Sequence, residues 1–549
     1  MLKVIPLGGL GEIGLNMMVV EYGDAMFIID AGLMFPEDYM LGVDIVIPAM
    51  NYIRENRHKI HGIIITHAHE DHIGALPYLL REIRIPVYGT AFTLGIVRNK
   101  LVEFELNTHV DLNLVSPGET LSMDPFAIEF IRVSHSTIDG VGLAIQTPEG
   151  VVIHTGDFRI SHNTDPMKNT DLSSFARYGE QGVLALLSDS TNVEVEGYTM
   201  SEQEVAKNLG KVIFAAQGRV IVTLFASNVF RIQQVIDIAV KNGRKVVFNG
   251  RSMEQNIAVA DKLGHISCPP DTIVDIKQIH NLPDSRVLII TTGSQGEPMS
   301  ALVRMASGLH KHIRIKKGDS VILSSKHIPG NEKAIANIIN KLYRRGADVI
   351  YSKAAEIHAS GHAHQEELKL MLSLTKPRYF IPIHGEYRHL VVHARLAEKM
   401  GLPRENVLVA EDGKVIAFDD TGGRIDGQVQ TGRVLVDGKG IGDVGRSVLK
   451  ERRELSEGGL VVVTMIIDEE TGVVLYGPEL ISKGFVFDSA TGHLVDDAQC
   501  VILEIVEEIE AGFDSRVELI RTRLKKALKQ YFAYTINRRP LIVPIIIEV

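Results

Sequence analysis

Thr66-His67-Ala68-His69-Glu70-Asp71-His72 follows the apolar run Gly62-Ile63-Ile64-Ile65 and sets three imidazoles and two carboxylates within six residues. His67 and His69 stand two apart, so on a turn they can converge on one cation. Asp71 and His72 fall on the next bend and can serve a second cation beside the first. A borderline-soft divalent ion such as zinc takes nitrogen and carboxylate oxygen donors of this kind. The plainer reading is a polar surface loop that happens to be rich in histidine, but three histidines and an aspartate at this spacing rarely arise by accident.

Further donors stand at the ends of expected strands. His135 lies in Ser134-His135-Ser136 after Ala127–Val133, Asp157 in Thr155-Gly156-Asp157 after Val151–His154, and His384 after Tyr379-Phe380-Ile381-Pro382-Ile383. Seven nitrogen and oxygen donors suit two adjacent divalent metals if one carboxylate bridges. His67, His69 and His135 would hold the first, Asp71, His72 and His384 the second, with Asp157 between, and each ion would keep an open position. A water shared by both would lose its proton near neutral pH and attack phosphorus or a carbonyl carbon. The leaving group still needs a proton, for which a histidine beside a carboxylate is the usual source. Outside the ligand set the candidates are His362 and Asp189. Asp30 is expected to hydrogen-bond the metal loop rather than ligate. His154 reads equally well as structural, and His58, His61, His109 and His265 as surface residues.

The elements that must carry these donors are legible in outline. At 549 residues the chain exceeds one ordinary core, and two or three domains are expected. Cys268 and Cys500 have no CxxC partner, which fits a reducing cytoplasm rather than a disulfide scaffold. The amino-terminal stretch reaches Gly8-Gly9 and Glu12 too soon for a signal-peptide core, and no apolar run approaches membrane-spanning length. A formal net charge of −10 argues against coating nucleic acid through bulk charge, while leaving room for a local basic groove.

Residues 1–35 read as short strands. Gly9-Leu10-Gly11-Glu12-Ile13-Gly14 matches GxGxxG, but Met17-Met18-Val19-Val20 continues as β where a dinucleotide site needs a helix, so a hairpin is expected. Ile45–Arg57 reads as a helix, Ile63–Ile65 as a strand, and Gly74–Leu80 as the opening of a helix. Strand–loop–strand pieces whose loops end in donors describe a sandwich with its site along one edge. From about Ser201 to Ala347 strands (Val220–Leu224, Lys245–Asn249, Val287–Thr291, Ser320–Ser324) alternate with helices, which implies a parallel sheet and a separate α/β domain. Donors then return, so the economical organisation is a sandwich interrupted by an insert. The boundaries expected are 1–205 and 351–425 for the sandwich, 206–350 for the insert, 426–455 for a glycine- and charge-rich linker including Lys439, and 456–549 for a small α/β assembly unit. The basic residues Arg521, Arg523, Lys525, Lys526 and Lys529 in that unit read as a solvated face.

His67-x-His69-x-Asp71-His72, then His135, Asp157 and His384, resemble the metallo-β-lactamase superfamily. The gaps between His72 and His135, His135 and Asp157, and Asp157 and His384 are 63, 22 and 227 residues. The last is long and resembles a β-CASP insertion, found in nucleic-acid-processing members; Asp189, His362 and His384 resemble that branch's three extra motifs. With Pro6–Asn16, His358-Ala359-Ser360-Gly361-His362, Ile383–Arg388 and Asn537–Pro544, the chain resembles the bacterial ribonuclease J family over essentially its whole length. The resemblance implies an αββα metallo-β-lactamase sandwich with an inserted β-CASP α/β domain and a small C-terminal α/β domain. It implies a ribonuclease acting 5′ to 3′ as an exonuclease on single-stranded RNA, preferring a 5′-monophosphate, with additional endonuclease activity, in rRNA maturation and mRNA decay. Two divalent ions per subunit, zinc or else manganese, would generate a bridging hydroxide, with His362 and Asp189 as the proton-donor pair. His358, Ala359, Ser360, Gly361 and His362, with Ser227, Asn228 and Val229, would hold the RNA. Ser227 and Asn228 read equally as a helix N-cap. A homodimer or tetramer would form through the terminal domain, and the protein would work in the cytoplasm without a membrane. A thioesterase-like hydrolase of the same superfamily would not need the roughly 150-residue insert, and a non-catalytic RNA-binding subunit would be expected to have lost donors.

Overall fold

The structure, a computed structural model, describes all residues except 162, 164, 298, 326–330, 352–355, 439, 486–492 and 511–514. Ile63, Ile64 and Ile65 are fully buried, as a β-branched run between other strands should be. They belong to the strand Ile60–Ile64 and its end, within a sheet ordered Gly422–Gln428, Lys414–Asp419, Leu2–Gly8, Met17–Tyr22, Ala25–Ile29, Ile60–Ile64, Val87–Gly89, Leu112–Leu114. The last four strands run parallel, and the helices Leu76–Glu82 and Ala91–Glu103 lie in the crossovers that parallel pairing requires. A second sheet is ordered Pro377–Ile383, Val183–Asp189, Gly150–His154, Val141–Thr147, Phe126–Arg132, Thr120–Met123. Phe27, Ile29 and Ile64 of the first sheet share one core with Phe126, Phe130, Leu143 and Ile381 of the second. The Phe27 and Phe126 rings meet edge to face at 5.1 Å. Outside the second sheet, Phe175 and Tyr178 of the helix Leu172–Gln181 and Leu368 and Met371 of Gln365–Thr375 cover Ile153, Leu186 and Phe380. This is the helix–sheet–sheet–helix sandwich.

The insert is a parallel sheet ordered Lys245–Asn249, Val287–Thr291, Val220–Thr223, Ser320–Leu323, Asp348–Ile350. The middles of its strands are apolar and buried on both faces, with Val220, Val222, Leu288 and Ile290 as well buried as Ile221 and Ile289. From Val220–Thr223 the chain departs toward one edge, and from the adjacent Ser320–Leu323 toward the other. A crevice opens between two such strands at their carboxyl ends, where open α/β sheets seat ligands. Ser227 and Asn228 follow the first of them.

Two sequence expectations need revision. Ile45–Pro48 is a strand, and only Asn51–Glu55 is helical, because the β-branched Ile45-Val46-Ile47 run and Pro48 disfavour a helix there. The GxGxxG stretch does lead into a hairpin, as expected: no helix follows it, and Met17–Tyr22 pairs with Leu2–Gly8. Residues 422–455 carry regular structure, namely the edge strand Gly422–Gln428, the strand Arg433–Asp437 and the helix Arg446–Gly458. An edge strand has one neighbour and tolerates polar side chains, which hid it among glycines and charges; Lys439 lies outside the described residues.

The chain divides into two compact units, Met1–Phe35 with Val46–Val434, and Pro36–Ile45 with Leu435–Val549. In the second, strands ordered Val474–Lys483, Leu460–Ile467, Leu541–Glu548 are covered on one face by the helices Leu494–Glu507 and Arg516–Ile536, through Ile502, Leu524, Leu528 and Phe532. Arg521 and Arg523 of the last helix pair with Glu518 and Glu508, and Lys529 with Glu454.

One core residue makes stability pH-dependent. His393, on the helix Tyr387–Lys399, packs edge-on to Phe380 at 4.7 Å, and burial pushes its imidazole down to about 3. The folded chain binds this proton more weakly than the unfolded one, so the stabilisation is complete above the ordinary histidine range and is lost as pH falls from there toward 3. The expected slope from this residue is about 1.4 kcal/mol per pH unit. Denaturant titrations between pH 6.5 and 4 should show a shallower loss for His393→Gln than for the unaltered chain; equal slopes would rule the residue out as a contributor.

Candidate metal centre

Asp30 ends the strand Ala25–Ile29 in the left-handed region, at φ 61°. Its carboxylate accepts from Thr66 N–H and Thr66 Oγ1, each at 2.8 Å, and from His72 Nδ1 at 2.8 Å. One buried carboxylate thus fixes both ends of the His67–His72 turn, the part expected of Asp30. The turn continues as the short helix Glu70–Ile73.

Within it, His67 Nε2 and His135 Nε2 each stand 3.1 Å from His69 Nδ1. The outward nitrogens have other partners: His135 Nδ1 donates to the Gly361 carbonyl at 2.8 Å, His67 Nδ1 is 3.1 Å from Thr66 Oγ1, and His69 Nε2 is 3.0 Å from Ser227 Oγ. Such partners set the tautomer, leaving three lone pairs turned on one point. Burial, reinforced by His72 beside His67 and by His69 beside His135, holds both imidazoles well below their ordinary range. Burial takes His69 down to about 4 against the pull of Asp71. Three neutral imidazoles are what a divalent cation requires.

The second set lies alongside. His384 Nε2 is 3.4 Å from both Asp71 Oδ2 and Asp157 Oδ2, while His72 Nε2 is 3.3 Å from Asp157 Oδ2 and 3.6 Å from Asp71 Oδ2. His384 Nδ1 sits 2.7 Å from Thr191 Oγ1, and its Nε2 is buried with no hydrogen bond. Burial disfavours charge here, but Asp157, Asp71 and Asp189 outweigh it and raise His384 to about 9. Asp157 Oδ2 also comes within 3.6 Å of His67 Nε2 and 3.8 Å of His135 Nε2, so it borders both sets. Burial opposes its charge too, yet His384, His72 and His67 keep the carboxyl well below the usual range. His67, His69, His135 and Asp157 form one group and Asp71, His72, Asp157 and His384 another, each with its donor atoms within 4.8 Å of one another. Three neutral imidazoles in the first set, ionised carboxylates, and in the second an orphaned buried His384 nitrogen beside His72, both raised against burial by the carboxylates that a cation would neutralise in their place, fit borderline divalent cations.

Beside the second set, Asp189 Oδ2 accepts from His362 Nδ1 at 2.8 Å, and Asp189 Oδ1 from Thr191 N–H at 2.9 Å and Thr191 Oγ1 at 2.8 Å. Burial works against protonation of His362, but Asp189 overrides it and raises the imidazole above its ordinary range. The His362 side chain is 21% exposed.

The His358–His362 loop is held by its backbone. Arg231 Nη1 donates to the Ile357 carbonyl at 3.3 Å and Arg159 Nη1 to the Ser360 carbonyl at 3.2 Å; both arginines pair with the buried Glu202. Ser360 Oγ accepts from Asn192 Nδ2 and from His362 N–H. A Cβ on Gly361 would stand 2.6 Å from His135 Cε1, so the close approach of the loop to that ligand needs glycine. Ala359 is buried, and burial pushes His358 down to about 3 beside Arg231. The two readings of Ser227 and Asn228 part company: Asn228 Oδ1 caps the helix Val229–Lys241 through Arg231 N–H at 3.0 Å, Ser227 faces His69, and Val229 is buried. Sequence reasoning missed Thr191, Arg159, Glu202 and Arg231, none of which sits in a pattern of its own.

Known proteins resemble this chain over its whole length. Residues 10–208 match the metallo-beta-lactamase superfamily, 217–342 the ribonuclease J beta-CASP domain, 349–410 the Zn-dependent metallo-hydrolase RNA specificity domain, and 447–549 the ribonuclease J C-terminal domain. Ribonuclease J 1 of Streptococcus pyogenes serotype M3 is 41% identical over 99% of this chain and 97% of its own. Ribonuclease J of Thermus thermophilus is 43% identical over 100% and 95%, and that of Synechocystis sp. 45% identical over 98% and 84%. A protein of unknown function from Enterococcus faecalis V583 shares the fold, at TM-score 0.54 and 16% identity over 76% of this chain and 99% of that one. Fold and donor sets together define a metallo-hydrolase of the metallo-β-lactamase superfamily with an inserted β-CASP domain. The chain belongs to the ribonuclease J family, and it is an RNA-binding, metal-dependent ribonuclease. Among the described residues no helix is long and apolar enough to cross a membrane.

Proposed function

We propose that the centre holds two divalent cations, zinc or else manganese, the first on His67, His69 and His135, the second on Asp71, His72 and His384, with Asp157 shared. Bound there, the cations supply Lewis-acid polarisation of a phosphodiester and a water acidic enough to attack phosphorus near neutral pH. The observation that carries the reading is Asp157 Oδ2 lying 3.3 to 3.8 Å from four of the five ligand imidazoles. The chain's own groups do the rest. His362 holds a proton on the nitrogen not engaged by Asp189 and gives it to the leaving oxygen, and Asp189 keeps the ring oriented and stabilises its charged form. Gly361 and Ser360 offer backbone groups, and Ser227 a hydroxyl, to the RNA phosphates.

The substrate is single-stranded RNA with a 5′-monophosphate, degraded 5′ to 3′, with endonuclease action besides, in rRNA maturation and mRNA decay in the cytoplasm. The two cysteines are free, in keeping with a reducing compartment. Purified protein should release mononucleotides from a 5′-labelled, 5′-monophosphorylated RNA and act more slowly on the same RNA with a 5′-triphosphate. Internal products alone, or no preference between the ends, would remove the exonuclease reading.

The terminal sheet offers a docking face for a second copy of the chain, giving a homodimer or, with further association, a tetramer. Opposite its helices, Leu460, Val462 and Ile466 align with Leu541, Val543 and Ile547, and Ile481, Ile545 and Ile547 are 45%, 46% and 52% exposed. Ile545→Asp with Ile547→Asp is expected to halve the sedimenting mass; a monomeric unaltered chain would exclude the assembly.

A further inference from the structure

The stretch Gly8-Gly9-Leu10-Gly11-Glu12-Ile13-Gly14-Leu15-Asn16 has no part in the hydrolytic reading, yet it touches both arms of the second donor set. At one end, Asn16 N–H donates to the Asp71 carbonyl at 3.1 Å. Asn16 Nδ2 donates to the same oxygen at 3.0 Å and lies 3.4 Å from Asp71 Oδ2 and 3.2 Å from His72 Nε2. Gly32 N–H in turn donates to the Asn16 carbonyl at 2.9 Å, which braces the residue from behind. At the other end, Leu10 and Gly11 pair in parallel with Gly385 and Glu386, directly after His384, and Gly385 N–H donates to the Gly9 carbonyl at 3.4 Å.

Two glycines permit this approach. A Cβ on Gly9 would stand 2.4 Å from Asn16 Oδ1, and one on Gly32 would stand 1.6 Å from the Asp71 carbonyl oxygen. The first donor set draws on different partners, from Thr66, Ser227 and Gly361. The glycine stretch therefore ties the turn bearing Asp71 and His72 to the segment bearing His384, two parts of the chain more than three hundred residues apart.

We propose that Asn16 is a positioning residue for the second cation: it fixes Asp71 and His72 against His384 and leaves the first site untouched. The inference rests on the two-cation reading above. Removing a partner of a metal ligand costs about 10–100-fold in metal affinity.

The test is a manganese titration of the metal-free full chain, followed by calorimetry and electron paramagnetic resonance. The unaltered chain should take up two Mn²⁺ ions and give the spectrum of a coupled pair. Asn16→Ala should bind the first ion with unchanged affinity, bind the second about 10–100-fold more weakly, and give a single-ion spectrum at one equivalent and beyond. Asn16→Asp, which keeps the volume but turns an acceptor on Asp71, should show the same selective loss. Variants that bind two ions as tightly as the unaltered chain, or that weaken both sites alike, overturn the inference. An unaltered chain that takes up a single ion removes the two-cation reading and this inference together, whereas two ions in chain and variants alike remove this inference alone.

Discussion

Asp157→Asn is expected to lower turnover on RNA by about 10³–10⁴-fold, the equivalent of about 4–6 kcal/mol of lost transition-state stabilisation. It is also expected to deplete both cations rather than one. The carboxylate borders the two donor sets at once, within 3.3 to 3.8 Å of His67, His72, His135 and His384. Asparagine keeps its shape and removes its charge. Among the seven donors only Asp71 then remains anionic, and two cations held mostly on imidazole nitrogen are poorly compensated in a site whose other donors are largely buried. Asp71→Asn provides the contrast, because Asp71 touches the second set only and should leave the first ion in place. Metal content by mass spectrometry separates the two variants. An Asp157→Asn chain that retains both ions and hydrolyses RNA normally would exclude Asp157 from the centre.

His362→Ala should reduce kcat by about 10²–10⁴-fold, the range of a lost general acid, with metal content unchanged. Its partner nitrogen is engaged by Asp189 at 2.8 Å, and the same aspartate reaches His384 through Thr191. Asp189 and His362 act as one unit, so His362→Ala combined with Asp189→Asn should be little slower than the worse single variant. The pH profile gives a second check. Asp189 raises the His362 imidazole above its ordinary range, so the protonated form persists to higher pH and activity should fall on the alkaline side as that proton is lost. Asp189→Asn moves the limb toward lower pH. If His362→Ala instead loses a cation, His362 is a ligand, a role its grouping with Asp189 and His384 leaves geometrically open.

Much of this was legible in the residues because the donors stand where strands end. Lys245–Asn249 and Val287–Thr291 have the bounds expected, since a parallel strand buried on both faces keeps a continuous apolar middle, here Val246-Val247-Phe248 and Val287–Ile290. The segment Ile45–Arg57 departs from the expected helix because the bias of Ile45-Val46-Ile47 toward extended backbone prevails over a helical continuation. Other features had no local signature at all. Ser227 and His69 are 158 residues apart, and nothing in the spacing announces their contact. Glu202 gathers Arg159 and Arg231 from both sides of the insert's first strand, a pairing that only the folded topology creates. Ser227 and Asn228 could not be told apart in sequence either, because both residue types cap helices; the backbone assigned the cap to Asn228 and freed Ser227.

The Gly361 carbonyl, which receives the His135 N–H, joins a ligand to the loop expected to grip the nucleic acid. Whatever settles that loop also settles the ring, and whatever loosens it lets the ring turn. By thermodynamic reciprocity, an ion that tightens the hold on a strand must itself be held more tightly once the strand arrives, and by the same factor. Starvation for metal and scarcity of transcript would then reinforce each other, each lowering the occupancy of the other's berth.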